Sequence, residues 1–184
     1  FRRVLFRSAS GSVILDAAIT RTGGGNLTLI AGSRITGSGN ISLTGGFTTF
    51  NQGVDSSYTG YIKGTGGLIK TGAGQLTLDP GGQWAPYESC SLSVTTCYYD
   101  LTGYNANKAA NTFTGNITVN QGNLRAVVQE NSTLMTESSL GNPSVSRTIT
   151  INSGGTLVLD NNDIFGNTAY QTPVDIIINS GGRV

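Results

Sequence analysis

Short runs of alternating aliphatic and hydroxyl-bearing residues recur along the chain, each opening on a glycine. The third and fifth residues of a run are aliphatic and the fourth is usually Thr or Ser, so a pleated strand sends the aliphatic side chains to one face and the hydroxyls to the other. One such strand spans only about 17 Å, and its aliphatic face needs neighbouring strands to cover it. The runs begin at Gly25, Gly39, Gly74, Gly115 and Gly155.

A second pattern sets a period. The pentapeptide Ile-Asn-Ser-Gly-Gly at residues 151–155 returns 27 residues later, at residues 178–182. Repeats of roughly 20 to 50 residues are typical of solenoids, in which stacked units bury a shared core. No apolar stripe at helical spacing continues beyond two turns. The pattern therefore predicts an all-β parallel β-helix with roughly 20 to 25 residues per repeat.

An antiparallel β-sandwich is the competing architecture, because short strands separated by turn signals also build sandwiches. Strands of a sandwich occupy non-equivalent positions and have no reason to share one motif, whereas equivalent rungs of a solenoid do. The shared glycine-led motif therefore favours the solenoid. The runs begin 14, 35, 41 and 40 residues apart, so the predicted repeat is imperfect and contains more than one strand.

Composition supports a strand-rich, ordered chain. Gly, Thr, Ser and Asn supply 85 of the 184 residues, and charged residues supply 11%. These four types are weak helix formers because they lose backbone entropy or compete for backbone hydrogen bonds. The Ile, Leu and Val residues stand in alternating runs, which distinguishes the chain from a disordered low-complexity segment.

The first eight residues differ from the rest, with three Arg and neither Gly nor Thr. The octapeptide Phe-Arg-Arg-Val-Leu-Phe-Arg-Ser resembles the translation of a widely used short-read sequencing adapter, so residues 1–8 are predicted to be an assembly artefact. Without them the formal net charge changes from +1 to −2. The only basic cluster disappears with them, and neither nucleic acid nor an anionic membrane surface is expected as a partner.

The residue types needed for several common chemistries are missing from the sequence. The chain has no His, so it cannot assemble a Ser-His or Cys-His pair or a His-ligated metal site. The stretch Gly72-Ala73-Gly74 leads into a strand and not into a helix, so it lacks the helix N-terminus of a phosphate site. Two candidate catalytic acids lie close together only at Asp160 and Asp163. The asparagines between them are typical of a solvated turn. We expect no catalytic residue, metal, cofactor or nucleotide.

Residues 64–78 read Gly-Thr-Gly-Gly-Leu-Ile-Lys-Thr-Gly-Ala-Gly-Gln-Leu-Thr-Leu. They resemble the autotransporter-associated β-strand repeat, whose pattern is G-x-G-x-L-x-K-x-G-x-G-x-L-x-L. Residues 111–124, Asn-Thr-Phe-Thr-Gly-Asn-Ile-Thr-Val-Asn-Gln-Gly-Asn-Leu, are similar to the continuation of that pattern, apart from Ile117. The resemblance covers roughly residues 64–184 and is interrupted by an insertion.

The resemblance implies a right-handed single-stranded parallel β-helix, a fragment of the longer rod of an autotransporter passenger. Such a passenger is exported by type V secretion and displayed at the bacterial cell surface as an adhesin. An outer-membrane translocator barrel is therefore expected as a partner, together with a host-surface or glycan ligand. Two alternatives stay open: a β-helical polysaccharide lyase or hydrolase, and a filamentous haemagglutinin-like adhesin of two-partner secretion.

The insertion at residues 80–110 differs in composition from both of its flanks. Solenoids place such insertions as loops on one side, often at the binding face. Cys90 and Cys97 are predicted to form a disulfide, with two free thiols as the alternative. Clustered aromatic side chains suit either an interaction loop or a small core that packs the loop against the rod. These residues are Trp84, Tyr87, Tyr98, Tyr99 and Tyr104.

The predicted organisation is a single domain. Residues 9–79 and residues 111–184 form β-helix coils on either side of the insertion. The second set of coils is expected to be truncated at its C-terminal end, where the chain stops within a repeat motif.

Overall fold

The computed structural model describes residues 3–81, 111–127, 138–160, 164–165 and 174–184. Within these ranges the chain is all-β, with sixteen strands and no helix. Every pairing between two of these strands is parallel. The predicted all-β class and the parallel pairing are thus confirmed, and the parallel ladders do not fit an antiparallel sandwich.

The strands are short, mostly of two to five residues. In chain order they are β1 (Val4–Ser8), β2 (Val13–Ile14), β3 (Ile19–Arg21), β4 (Leu27–Ala31), β5 (Ile35–Thr36), β6 (Ile41–Leu43), β7 (Phe47–Gln52), β8 (Ser56–Tyr58), β9 (Ile62–Gly64), β10 (Gly67–Thr71), β11 (Leu76–Leu78), β12 (Ile117–Val119), β13 (Gly122–Ala126), β14 (Arg147–Ile151), β15 (Gly155–Leu159) and β16 (Val174–Ile178).

The strands form four sheets, and neighbours in each sheet follow the order of the chain. Sheet 1 is the largest, with seven strands in the order β1-β4-β7-β10-β12-β14-β16. Sheet 2 contains β8-β11-β13-β15, sheet 3 contains β3-β6-β9, and sheet 4 pairs β2 with β5. Consecutive strands therefore lie in different sheets. The chain returns to sheet 1 after every two strands at first, and later after every one.

The register of sheet 1 reveals the period. Its first three steps pair residues that are 23, 21 and 20 positions apart, and its last three steps pair residues 49, 32 and 27 positions apart. The last step aligns Ile151 with Ile178, so the repeated pentapeptide does mark equivalent positions. The longer steps contain the insertion and two further segments, and they leave the parallel register unchanged.

The aliphatic residues of the repeated runs face the interior, as predicted. Leu27 and Leu29 of β4 are fully buried, and the alternation continues in β7, β10, β12 and β14. A slip of one residue would turn these interior side chains to solvent. The hydroxyl face is less exposed than expected. Thr77 is buried because it lies between Ser57 and Arg125 in sheet 2.

The five glycine-led runs do not share one position in the repeat, which agrees with the prediction that each repeat contains more than one strand. The runs belong to three different sheets. Those at Gly25 and Gly115 lead into strands of sheet 1, and the run at Gly39 leads into a strand of sheet 3. Those at Gly74 and Gly155 form strands of sheet 2. The motif marks corners at which the backbone passes close to the preceding repeat. A Cβ at Gly74 would lie 2.4 Å from the carbonyl carbon of Val54, so any side chain there would displace backbone.

An asparagine follows the glycine in three of the runs, and its side chain joins one repeat to the next. In each case Oδ1 accepts a hydrogen bond from a backbone N–H about one repeat further along the chain, which satisfies a donor at the start of a strand. The acceptor and donor residues are Asn26 with Phe47 at 3.0 Å, Asn40 with Tyr61 at 3.1 Å, and Asn116 with Thr148 at 3.0 Å.

The octapeptide at the start of the chain contributes the edge strand β1, whose residues pair in parallel with Leu27–Ala31. Leu5 and Phe6 stay exposed there. The proposed adapter origin of residues 1–8 remains a prediction, which the nucleotide sequence upstream of Ala9 would test.

Candidate functional site at the root of the insertion

The residues that the sequence singles out as a candidate site lie outside the described residues. This holds for the predicted disulfide, Cys90 with Cys97, and for the aromatic set, which comprises Trp84, Tyr87, Tyr98, Tyr99 and Tyr104. The structure does describe where the chain leaves for the insertion, at Gly81, and where it returns, at Asn111. These two positions define the root of the insertion.

The departing end of the root is stacked on the preceding repeat. The backbone N–H of Asp79 donates to the carbonyl of Tyr58 at 3.1 Å, and the N–H of Gly81 donates to the carbonyl of Thr59 at 2.7 Å. Tyr58 is itself fixed, because its ring packs edge-on against Phe50 at 5.4 Å between centroids. Its hydroxyl donates to the carbonyl of Gly39, and burial raises the pKa of this phenol. The departing strand therefore rests on rigid structure.

Asn111 anchors the returning end from inside the protein. Its side chain is buried, and Oδ1 accepts from the N–H of Ile62 at 2.7 Å while Nδ2 donates to the carbonyl of Ser139 at 2.7 Å. Its own N–H donates to the carbonyl of Ser138 at 3.1 Å. One side chain thus joins the preceding repeat to the following one.

Two buried serines complete the root. Ser139 Oγ donates to the carbonyl of Leu78 at 2.9 Å and accepts from the N–H of Val127 at 3.2 Å. Ser138 Oγ donates to the carbonyl of Gly141 at 3.0 Å. We call Asn111, Ser138 and Ser139 the root cluster. Asn111 follows the insertion, and Ser138 follows residues 128–137. The root cluster therefore fixes the returning ends of both segments at one corner.

A buried arginine lies next to the root cluster. Arg147, the first residue of β14, is only 3% exposed. Its guanidinium lies over the ring of Phe113 at 5.7 Å, and Nη1 donates to the Phe113 carbonyl at 3.3 Å. No described residue accepts a hydrogen bond from Nε or Nη2. Burial lowers the pKa of Arg147 to about 10, so the group keeps its charge at neutral pH.

A second buried cation, Lys70, lies in β10 on the interior face of sheet 1. Its Nζ donates to the carbonyls of Thr71 at 2.8 Å, Gly72 at 2.7 Å and Gln121 at 3.1 Å. Three carbonyls match the three N–H donors of an ammonium group. Burial lowers the pKa of Lys70 to about 8, and the carboxylate of Asp55 acts in the opposite direction. Lys70 therefore closes the corner between sheets 1 and 2.

Two acidic residues of the described ranges have structural contacts. Asp55 Oδ1 accepts from the N–H of Gln75 at 2.7 Å, and Asp160 forms an ion pair with Arg125. In the ranges that the structure describes, no three Asp, Glu, Cys or His side chains come together as a metal site would require. Asp163, the predicted neighbour of Asp160 in a turn, lies outside those ranges. None of the described segments forms a helix long and apolar enough to cross a membrane.

Sequence reasoning missed the root cluster and the two buried cations. For Lys70 a signal was available, because it shares the strand parity of Leu68 and must therefore face the interior. Asn111 stood out only as the first residue of a family pattern. Ser138 and Ser139 gave no signal, since their partners are backbone groups far away in the sequence.

Comparison of the chain with protein-family models, with curated proteins and with solved structures finds no match.

Proposed function

We propose that the chain is a right-handed parallel β-helix, a rod-like segment of a secreted autotransporter passenger that displays its aromatic insertion at the bacterial surface as part of an adhesin. The proposal combines three supports: the parallel strand order, the anchored root of the insertion, and the resemblance of residues 64–78 to the autotransporter-associated repeat. Catalysis has no part in it.

The order of sheet 1 is the observation that carries the proposal. Its seven strands follow the chain order and pair in parallel, with steps of 20 to 23 residues where no long segment intervenes. A chain that returns to the same sheet in this way winds around a common core. Crossovers between parallel strands of one sheet are right-handed in about 98% of cases, which favours the right-handed form.

The root cluster supports the display function. A loop that binds a partner loses less conformational entropy when its ends are already fixed on a rigid scaffold. The ends of the insertion are held by buried hydrogen bonds from Asn111 and by backbone bonds from Asp79 and Gly81. Trp84 and the four tyrosines suit an interface, because such rings bury a large area at a low cost in side-chain entropy.

The resemblance supplies the cellular setting of the proposal. A passenger of this kind passes through an outer-membrane translocator barrel and stays at the cell surface, where a disulfide between Cys90 and Cys97 is chemically stable. Its ligand is a host-surface protein or a glycan.

Spin labels test the winding. Labels at Thr49 in β7 and Ile177 in β16, in a chain carrying Cys90→Ser and Cys97→Ser, lie four strand spacings apart in sheet 1. We expect a distance distribution centred near about 19 Å, from a spacing of about 4.8 Å per strand. A distribution centred beyond about 30 Å would contradict a single stack.

A binding assay tests the display. Beads carrying the chain are incubated with cultured epithelial cells, alongside beads carrying a variant whose residues 82–110 are replaced by a short Gly-Ser linker. We expect the variant to lose binding while its unfolding midpoint stays the same. A third variant, Tyr61→Ser, removes an aromatic side chain outside the insertion and should bind normally. Equal binding by all three would contradict a role for the insertion.

A further inference from the structure

Three structural asparagines begin the sequence Asn-x-Ser/Thr, which is the acceptor motif for N-linked sugars. They are Asn26, Asn40 and Asn116, the same residues whose Oδ1 atoms join one repeat to the next. A fourth motif begins at Asn131, outside the described residues. Transfer of a sugar requires access to the side-chain amide and to the hydroxyl two residues later, so the surroundings of these two groups distinguish the three sites.

The side-chain nitrogens of the three asparagines are available for chemistry. Within the described part of the chain, no residue accepts a hydrogen bond from Nδ2 of Asn26, Asn40 or Asn116. Four other asparagines donate from Nδ2 to a protein oxygen, and none of the four begins the motif: Asn111, Asn123, Asn152 and Asn179. Because each motif asparagine is held through Oδ1, a sugar on Nδ2 would leave the bond between repeats intact.

Asn116 presents the motif more openly than the other two asparagines do. Asn116 is exposed, and Thr118 in β12 is half-buried on the same outward face of sheet 1. At the Asn26 site the hydroxyl belongs to Thr28, which is only 9% exposed. At the third site Asn40 itself is half-buried. Burial therefore favours Asn116 as the acceptor.

The surface next to Asn116 suits an uncharged hexose. A Cβ at Gly67 would lie 2.5 Å from the carbonyl oxygen of Asn116 and 2.7 Å from Cε1 of Phe47, so the half-buried Phe47 ring lies over Gly67, next to Asn116. An aromatic ring offers an apolar face, on which the C–H groups of a hexose can pack. The neighbours of Asn116 in sheet 1, Gly67 and Thr148, carry no charge.

We propose that Asn116 is an acceptor site for an N-linked hexose, transferred by a glycosyltransferase from a nucleoside diphosphate hexose. The bond between Nδ2 and the anomeric carbon forms while the bond from that carbon to the diphosphate oxygen breaks. The nucleoside diphosphate leaves with the bonding electron pair, and a base of the transferase takes one of the two Nδ2 protons. The modification depends neither on the insertion nor on its display, so this inference and the proposed function can fail separately.

Glucosylation of the folded full chain in vitro tests the site. The transferase is a bacterial enzyme chosen because it glucosylates synthetic peptides of all three motifs with UDP-glucose, and peptide mass spectrometry measures the occupancy of each asparagine in the chain. We expect glucose on Asn116, with occupancy at Asn26 and Asn40 roughly tenfold lower because those sites react only after local opening. A folded chain without glucose on Asn116, or with equal occupancy at the three sites, would overturn the inference.

Two valine substitutions separate the motif from its surroundings. Thr118→Val removes the hydroxyl of the motif but keeps the β-branched shape that suits a strand, so it should abolish glucose at Asn116. Thr150→Val makes the same change at the residue paired with Thr118 in β14, where residue 148 is not an asparagine, and should leave the occupancy of Asn116 unchanged. Both variants should unfold as cooperatively as the wild type. Glucose on Asn116 in Thr118→Val, or its loss in Thr150→Val, would refute the assignment.

Discussion

Two cations are buried on the same interior face of sheet 1, and they differ in how their charges are satisfied. Lys70 in β10 directs all three ammonium donors at carbonyl oxygens, whereas Arg147 in β14 uses one of its five donors on the Phe113 carbonyl. Both have a pKa lowered by burial, to about 8 and about 10 respectively. Lys70 lies where the chain turns from sheet 1 to sheet 2, and Arg147 lies beside the root cluster.

The difference separates a cation that the fold needs from one that the fold tolerates. Partly buried carbonyls without a donor cost free energy, so the corner at Lys70 depends on the N–H donors of its side chain. Arg147 satisfies little of the backbone, and its charge is expensive where it stands. The register of sheet 1 aligns Arg147 with Gly115, just before β12, and with Gly66, just before β10. Sheet 1 therefore does not require a side chain at this position.

The largest effect is expected for Lys70→Met. The substitution keeps most of the side-chain volume but leaves the carbonyls of Thr71, Gly72 and Gln121 without their donor, so the free energy of unfolding should fall by about 4 kcal/mol. Chemical denaturation at pH 7 measures this. Lys63→Met, on a less buried lysine, is the control and should cost less than about 1 kcal/mol. Equal costs for the two would remove the distinction drawn for Lys70.

The pH dependence of the free energy of unfolding, measured for the wild type and for Lys70→Met, sharpens the comparison. The pKa of Lys70 is about 8 in the folded chain and close to 10.5 when unfolded, so between these values the unfolded chain holds a proton that the folded chain has lost. The free energy of unfolding of the wild type should therefore rise with pH across this window, by up to about 3 kcal/mol relative to Lys70→Met. Parallel curves for the two proteins would contradict the lowered pKa.

Asn111→Ala probes the root cluster beside Arg147. It removes an acceptor for Ile62 and a donor to Ser139, both buried, so we expect a loss of about 2 kcal/mol. Asn40→Ala removes only the acceptor for Tyr61 and should cost about half as much. Urea denaturation with both variants measures the ratio. A larger loss for Asn40→Ala would mean that the root is not specially anchored.

The smallest effect is expected for Arg147→Met. Replacing a buried, poorly paired charge with an apolar side chain of similar length is often neutral or stabilising, so the change should lie within about 1 kcal/mol of zero or favour the folded state. Arg34→Met, at a more exposed position, is the matched control. A loss above about 3 kcal/mol for Arg147→Met would show that the guanidinium has strong partners and that the comparison with Lys70 is wrong.

The sequence predicted the strands more successfully than their places in the sheets. Alternation identified the interior residues of β4 and β12, and the repeated pentapeptide correctly aligned Ile151 with Ile178. The shared glycine motif did not assign the strands to particular sheets, because corners of different sheets impose the same steric demand on the backbone. The candidate site was located only as an insertion, since the groups that hold its ends are serine hydroxyls and an asparagine amide bonded to distant backbone atoms.

The unchanged register across steps of very different length has a practical consequence for protein engineering. Leu68 pairs with Ile117 across 49 residues as regularly as Thr48 pairs with Leu68 across 20. Doubling the length of a flexible loop costs only about 0.6 kcal/mol in closure entropy. The corner between Gly81 and Asn111 is therefore a natural place to graft a foreign peptide, because strands of sheet 1 keep their parallel register across connections of very different length.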